Sequence, residues 1–258
     1  MQLSYSRIST FVNCGFLYRL KYIEKIPARP KPHLGFGRIL HCTLDKFYSL
    51  DIGKPSLDDL LRIYKGYWEI GSDSYNRHYA KGHRILREYY ELNIDDYDNV
   101  VYVEEPFGIP IGNHSLVGRF DRVDQVGDGG FEIIDYKAGK RVAAQAEVDA
   151  DLQLGIYALA FRLTTGKLPL VSFYFLPRNT KVTSSRTEND IHRMQSGLAA
   201  IVNRMMSGEH YLPRQGVECR WCDYKRYCPL KTDTPLELTR RAFQPELVFD
   251  RHQPAYSH

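Results

Sequence analysis

The segment from Val117 to Lys137 constrains this chain more than any other. Val117–Val126 alternates in polarity, Gly127–Gly130 supplies turn residues, and Phe131–Tyr136 is apolar and rich in strand formers. That pattern predicts a β-hairpin. Its strands carry Gly118-Arg119-Phe120-Asp121-Arg122-Val123-Asp124 and Ile133-Ile134-Asp135-Tyr136-Lys137. Pairing would bring Asp121 and Asp135 together at one end of the hairpin. The two-residue period of a strand puts Asp135 and Lys137 on one face. Two carboxylates beside an ammonium suit a divalent cation, because hard oxygen ligands hold Mg²⁺ or Mn²⁺. Such an ion activates a bound water and neutralises charge on a phosphate. The lysine can orient that water or stabilise developing charge. A bare Asp-x-Lys is most often an exposed strand pair; the preceding Ile133-Ile134 and the upstream carboxylate set this one apart. Asp124, three positions beyond Asp121, faces the other side and reads as structural.

The hairpin sits between helical stretches. Ser4 or Ser6 can cap a helix carrying Ile8, Phe11, Val12, Phe16, Leu17 and Leu20, which stops before Pro27. Pro27, Pro30 and Pro32 form a linker. Further helices are predicted over about Phe36–Leu50, Leu57–Trp68 and Ser72–Leu92. Short strands follow at Val100–Val103 and Phe107–Ile111. After the hairpin come a helix over Asp149–Leu163, a strand at Leu170–Leu176 and a helix over Glu188–Met206. This order predicts a mixed α/β core. One domain is expected over residues 1–230: a mainly helical part (1–95), a core (96–185), and a helix with a cysteine loop (186–230). Residues 231–258 read as a tail that is poorly ordered or depends on a partner.

The chain has 258 residues, 43% hydrophobic and 26% charged, which argues against wholesale disorder. Its apolar runs are too short for a membrane helix. The N-terminus lacks the apolar region of a signal peptide. The expectation is a cytoplasmic protein with no membrane partner. The net charge of +4 hides an asymmetry. Residues 1–40 hold seven basic side chains and one acidic, a surplus of six, so the remaining 218 sum to minus two. A basic N-terminal region can track phosphates, although a solvated helix face reads the same way.

Five cysteines are too few for a disulfide scaffold in a chain of this length. Cys219-x-x-Cys222-x₅-Cys228-Pro229 is a compact thiolate group. It needs a fourth ligand for tetrahedral zinc or a cubane cluster. Cys14 is one candidate, and His210, with zinc, is the other. Loop closure entropy grows only logarithmically, so a long separation is no obstacle to Cys14. Cys42 falls outside the pattern and reads as packing. Arg19, Arg220, Lys225 and Arg226 would offset thiolate charge. Trp221 and Tyr224 can either stack on bases or pack around the group.

Taken together, GRFDRVD, IIDYKAGK and Gln153-Leu154-Gly155-Ile156-Tyr157 resemble the active-site motifs of PD-(D/E)xK nucleases of the RecB type. Gly37-x-x-x-His41 is similar to an element of that family. The opening LSYSRISTFVNCGFLYRLKYIEKIP resembles its iron–sulfur branch, which includes the AddB nuclease domain and CRISPR-adaptation nucleases. The resemblance spans about Leu3 to Leu230; Phe120 stands where the family name has a proline. It implies a restriction-endonuclease-like fold, a mixed central sheet flanked by helices, with a helical N-terminal region and a C-terminal Fe–S module. It implies Asp121, Asp135, the Tyr136 carbonyl and His41 as metal ligands, and Lys137 as the catalytic lysine. Gln153 and Tyr157, four apart on one helix face, would support that lysine and the substrate strand. Glu104 or Glu105 is a candidate supporting group. Cys14, Cys219, Cys222 and Cys228 would ligate [4Fe–4S]. The implied activity is that of a DNA exonuclease dependent on Mg²⁺ or Mn²⁺, favouring single strands or ends, in recombination, repair or CRISPR adaptation. A helicase or recombination protein would be its partner. The other reading is an inactive DNA-end-binding subunit with a decayed site.

Overall fold

The computed structural model describes residues 1–28, 35–71, 75–208 and 211–231. Pro30, Pro32, His210 and nearly all of the 231–258 tail therefore lie outside the described residues. The chain divides into two compact units. The larger comprises residues 1–9 and 30–206, and the smaller residues 10–29 and 207–258.

A six-stranded mixed sheet organises the larger unit. Strands β2 (Val100–Ile111), β3 (His114–Val126) and β4 (Gly130–Lys137) form an antiparallel meander. The predicted hairpin is present, with Arg122 opposite Ile134 and Val126 opposite Gly130. Gly127 and Gly129, at φ of 52° and 83°, make the turn that few other residues could adopt. Strand β5 (Leu170–Phe175) runs parallel to β4, and β6 (Thr180–Ser184) pairs antiparallel with β5. A two-residue strand β1 (Gln2–Leu3) lies parallel to β3 at Ser115–Leu116.

The structure departs from the sequence expectations in a few places. The segments 100–103 and 107–111 are one strand, which runs through Pro106 and Pro110. Among the described residues it pairs only with β3, and an edge strand tolerates proline because its outer N–H needs no partner. Strand β6 is short and polar, TKVTS, and carries no apolar alternation to betray it. The helix predicted from Asp149 is two: α6 (Gln145–Asp149) and α7 (Leu152–Thr165). Asp151 breaks them by capping α7, its side chain accepting from the Leu154 N–H at 3.0 Å.

Helices α3 (Phe36–Tyr48), α4 (Leu57–Gly71) and α5 (Tyr75–Asn93) pack Leu40, Leu44, Leu60, Tyr64 and Leu86 into one cluster with Ile134, Tyr136 and Tyr174 of the sheet. Helix α7 is buried without interruption from Leu154 to Phe161, as a helix enclosed on all sides must be. Its Tyr157 and Phe161 rings meet Phe120 edge-on. Helix α8 (Glu188–Met206) packs beside it.

In the smaller unit, helix α1 (Tyr5–Asn13), which begins in the larger unit, ends just before Cys14. A one-turn helix α2 (Gly15–Tyr18) then starts, with Cys14 as its cap. The chain widens into a π-turn over Arg19–Ile23. Phe16, Leu20, Ile26 and Tyr224 form this unit's own apolar cluster.

Candidate active site

The register of β3 and β4 places Asp121 opposite Asp135, one position beyond the Arg122–Ile134 pair. Asp121 bends across the end of that ladder, its Oδ2 accepting from the Tyr136 N–H at 3.0 Å. Asp135 is 2% exposed. Its Oδ1 accepts from Gln153 Nε2 at 2.7 Å and from the Tyr157 hydroxyl at 3.3 Å. Its Oδ2 faces Lys137 Nζ at 2.6 Å as an ion pair, outside hydrogen-bond geometry. Lys137 donates to Gln153 Oε1 at 2.9 Å and lies over the Phe173 ring. Gln153 sits in the first turn of α7, which the Asp151 cap aims at β4. Tyr157, one turn on, accepts from Gln153 Nε2 at 3.0 Å. His41 comes from α3, with Nδ1 3.2 Å from Asp121 Oδ2, and its ring also hydrogen-bonds the Tyr136 backbone. Gly37 explains how α3 comes so close: a Cβ there would stand 3.0 Å from the Ala138 Cβ. All six side chains predicted for this site, and the Tyr136 backbone, thus converge.

Charge is concentrated here. Burial, then the neighbouring Asp121, push Asp135 up to about 6, and Lys137 restrains the rise. Burial alone would lower His41, but the hydrogen bond to Asp121 and the two carboxylates raise it overall. Burial raises Tyr157, and the carboxylates add to the effect, so it stays a neutral donor.

Glu104 also faces this site. It lies between the pairs Val103–Arg122 and Glu105–Phe120, level with Asp121. Its φ of 48° is costly for a non-glycine residue in a strand. Burial and the Asp121 charge raise its pKa. Sequence reasoning could not choose between Glu104 and Glu105, because the distorted backbone leaves no mark in composition.

Sequence reasoning missed the support beneath the site. Arg122 is 2% exposed and pairs with Asp124 through Nε at 2.6 Å and Nη2 at 2.5 Å. Its Nη1 donates to the hydroxyls of Tyr48 at 2.7 Å and Tyr89 at 2.9 Å. The Tyr89 hydroxyl in turn lies 2.7 Å from that of Tyr136. This buried network ties α3 and α5 to β3 and β4 on the face opposite Asp121. The acidic repeat in GRFDRVD was a weak signal for it.

The donor set fits a hard divalent cation: two carboxylates, a backbone carbonyl and an imidazole, around a buried carboxylate oxygen that accepts no hydrogen bond. Among the described residues, no three His, Cys, Asp or Glu side chains already stand in a metal-holding arrangement. Asp121 instead spends its Oδ2 on His41 and Tyr136.

The four predicted sulfur ligands all belong to the smaller unit, and none is disulfide-bonded. Cys14, Cys222 and Cys228 pack against its apolar cluster. Cys14 Sγ accepts from the N–H groups of Leu17 at 3.4 Å and Arg214 at 3.5 Å. Burial raises Cys222, and Cys14, Cys219 and Cys228 add to the rise, which puts each of the three in electrostatic reach of Cys222. Arg19 pairs with Glu24. Cys42 lies on α3 and stays outside this group.

Residues 2–229 match the PD-(D/E)XK nuclease superfamily. The chain belongs to that superfamily. Within it, the chain is similar to the "Gene 69 protein" of Mycobacterium phage D29, with 25% identity over 273 residues, covering 88% of this chain and 96% of that one. In fold it is similar to the crystal structure of a "Putative exonuclease" from Eubacterium rectale, with a TM-score of 0.56 and 12% identity, covering 93% and 92% of the two chains. The mixed sheet flanked by helices is thus the superfamily's restriction-endonuclease-like fold. Among the described residues, no helix of this nuclease is long and apolar enough to cross a membrane.

Proposed function

We propose that the protein is a divalent-metal-dependent deoxyribonuclease that removes nucleotides from DNA ends, with a preference for single strands. The observation that carries this reading is the Gln153 bridge, which holds Asp135 and Lys137 in register beside Asp121. A decayed site would have no reason to retain that geometry. The choice of exonuclease rests on the resemblance to the RecB branch and on the name of the fold neighbour. Recombination, repair and CRISPR adaptation all supply such substrates.

Asp121, Asp135, the Tyr136 carbonyl and His41 would hold Mg²⁺ or Mn²⁺, and neutral imidazole is the form that can ligate. That ion supplies a water of lowered pKa and neutralises charge on the scissile phosphate. The chain's own residues do the rest. Lys137 lies beside Asp135, where its ammonium orients the attacking water and meets negative charge as it builds on the phosphate. Gln153 offers the ammonium a second acceptor and so fixes its direction while it stays in contact with Asp135. Tyr157, held neutral, fixes the Asp135 rotamer. In the smaller unit, Cys14, Cys219, Cys222 and Cys228 would hold a [4Fe–4S] cluster that fastens the two chain ends together. Zinc is the alternative occupant of the same thiols.

Cleavage of end-labelled linear and circular DNA, with and without divalent metal, tests this reading. Linear single strands should be shortened from an end with Mg²⁺ or Mn²⁺, circles should survive, and EDTA should stop the reaction. Cutting of circles would overturn the exonuclease assignment. Cleavage indifferent to chelation would overturn the metal dependence.

A further inference from the structure

The smaller unit carries more than thiols. Its described residues, 10–28, 207–208 and 211–231, hold eight basic and three acidic side chains. The protein has two tryptophans, and they are used in opposite ways. Trp68 is 2% exposed in the core, whereas Trp221, inside the cysteine loop, is 71% exposed. Tyr224, the other aromatic read as a base-stacking candidate, is 5% exposed and donates its hydroxyl to the Ile26 carbonyl at 2.8 Å. Packing therefore accounts for Tyr224 but leaves the indole of Trp221 in water.

The same loop carries charges that are arranged. A shallow cavity of about 680 Å³ in this loop is lined by Arg220, Lys225 and Lys231 together with Gln215, Gly216, Val217 and the cluster candidate Cys219. Lys225 Nζ donates to the Arg220 carbonyl at 2.5 Å, which folds the loop so that both cations edge one concavity. Trp221 follows Arg220 directly at the end of the 3₁₀ turn Val217–Arg220. The acids of this loop, Glu218 and Asp223, are outnumbered by Arg214, Arg220, Lys225, Arg226 and Lys231.

We propose that Trp221, with Arg220, Lys225 and Lys231, is a binding surface for single-stranded DNA outside the nuclease site. The indole face stacks on a base while the cations take neighbouring phosphates. The proposal rests on the reading of this chain as a DNA nuclease. Charge complementarity decides the occupant: an apolar protein segment would cover Trp221 without needing the three cations that line the concavity of the same loop. An aromatic face accepts every base, so the surface has no sequence preference of its own.

The test is fluorescence anisotropy of labelled oligo-dT with the full chain in a Lys137→Ala background, which removes cleavage. Trp221→Ala should weaken binding about 5- to 150-fold, the range of one lost base stack. Trp221→Phe should retain most of the affinity. Lys225→Ala and Arg220→Ala should each reduce the salt slope by about one. Unchanged affinity in Trp221→Ala would overturn the proposal, as would Trp221→Phe binding as poorly as Trp221→Ala. So would shielding of the Trp221 emission from acrylamide in free Trp68→Phe protein, since a segment of the chain would then cover the indole. Cleavage by the wild type, with no Trp221 effect, would remove this surface and leave the nuclease reading intact. The reverse pair of results would do the opposite.

Discussion

Gln153 donates to Asp135 Oδ1 at 2.7 Å from the first turn of the helix that follows β4. Its other amide atom accepts from Lys137, so one side chain orients both members of an ion pair that is in contact at 2.6 Å. Gln153→Ala should therefore lower kcat about 10- to 100-fold, the usual effect of removing an orienting partner. KM for DNA should change little. Single-turnover cleavage at saturating metal separates the two, and a loss confined to KM would contradict this role.

The site destabilises the metal-free fold. Asp135 titrates at about 6 when folded and near 3.8 when unfolded. The folded state thus binds the proton more tightly, and stability falls as pH rises from about 4 to about 6, then levels off. Asp135→Asn should be more stable than wild type at about pH 8 without metal, by at most about 3 kcal/mol. The gap should vanish near pH 4. Melting curves in chelator at both pH values check this, and a gap independent of pH would refute it.

The Arg122 network has its own signature. Burial raises the pKa of Asp124 even though Arg122 opposes the rise, so the carboxylate depends on its guanidinium. Arg122→Met should cost about 3–5 kcal/mol by leaving Asp124 buried and unpaired. Adding Asp124→Leu should recover part of the loss. Tyr136→Phe, which removes one hydroxyl from the same network, should cost only about 1 kcal/mol. Urea denaturation provides the comparison.

Gly37 is a spacing residue. A larger side chain there meets Ala138 and drives α3, with His41, away from the sheet. Gly37→Val should weaken Mn²⁺ binding about 10-fold, measured by calorimetry, and His41→Ala should do at least the same. Unaltered Mn²⁺ affinity in both variants would remove His41 from the donor set.

The thiols predict a colour. Protein purified without oxygen should be brown and contain iron and sulfide, and Cys14→Ser should lose both. Colourless protein with stoichiometric zinc would assign the thiols to zinc instead.

Much of this was legible in the sequence because strong local rules applied. The hairpin was readable from alternation flanking a glycine turn, and its register then followed, bringing Asp121 to Asp135. Helical spacing put Gln153 and Tyr157 on one face, and the resemblance to the RecB branch supplied their role. What escaped was written in contacts between distant residues or in weak local pattern. Arg122 looks like an ordinary surface arginine until Tyr48 and Tyr89 arrive from two helices to satisfy it. Strand β6 has no apolar face to reveal. Glu104 gained its place through a backbone distortion that neighbouring Glu105 did not share. For Trp221 and Tyr224 the sequence offered two equal aromatics, and only burial told them apart.

The most direct test of the central claim is to measure cleavage and binding of one end-labelled single strand by wild type, Lys137→Ala and Asp135→Ala, with Mn²⁺ present. The wild type should shorten the strand, and both variants should bind it but fail to cut, with rates lowered at least about 100-fold. Wild-type rates in either purified, folded variant would contradict that claim.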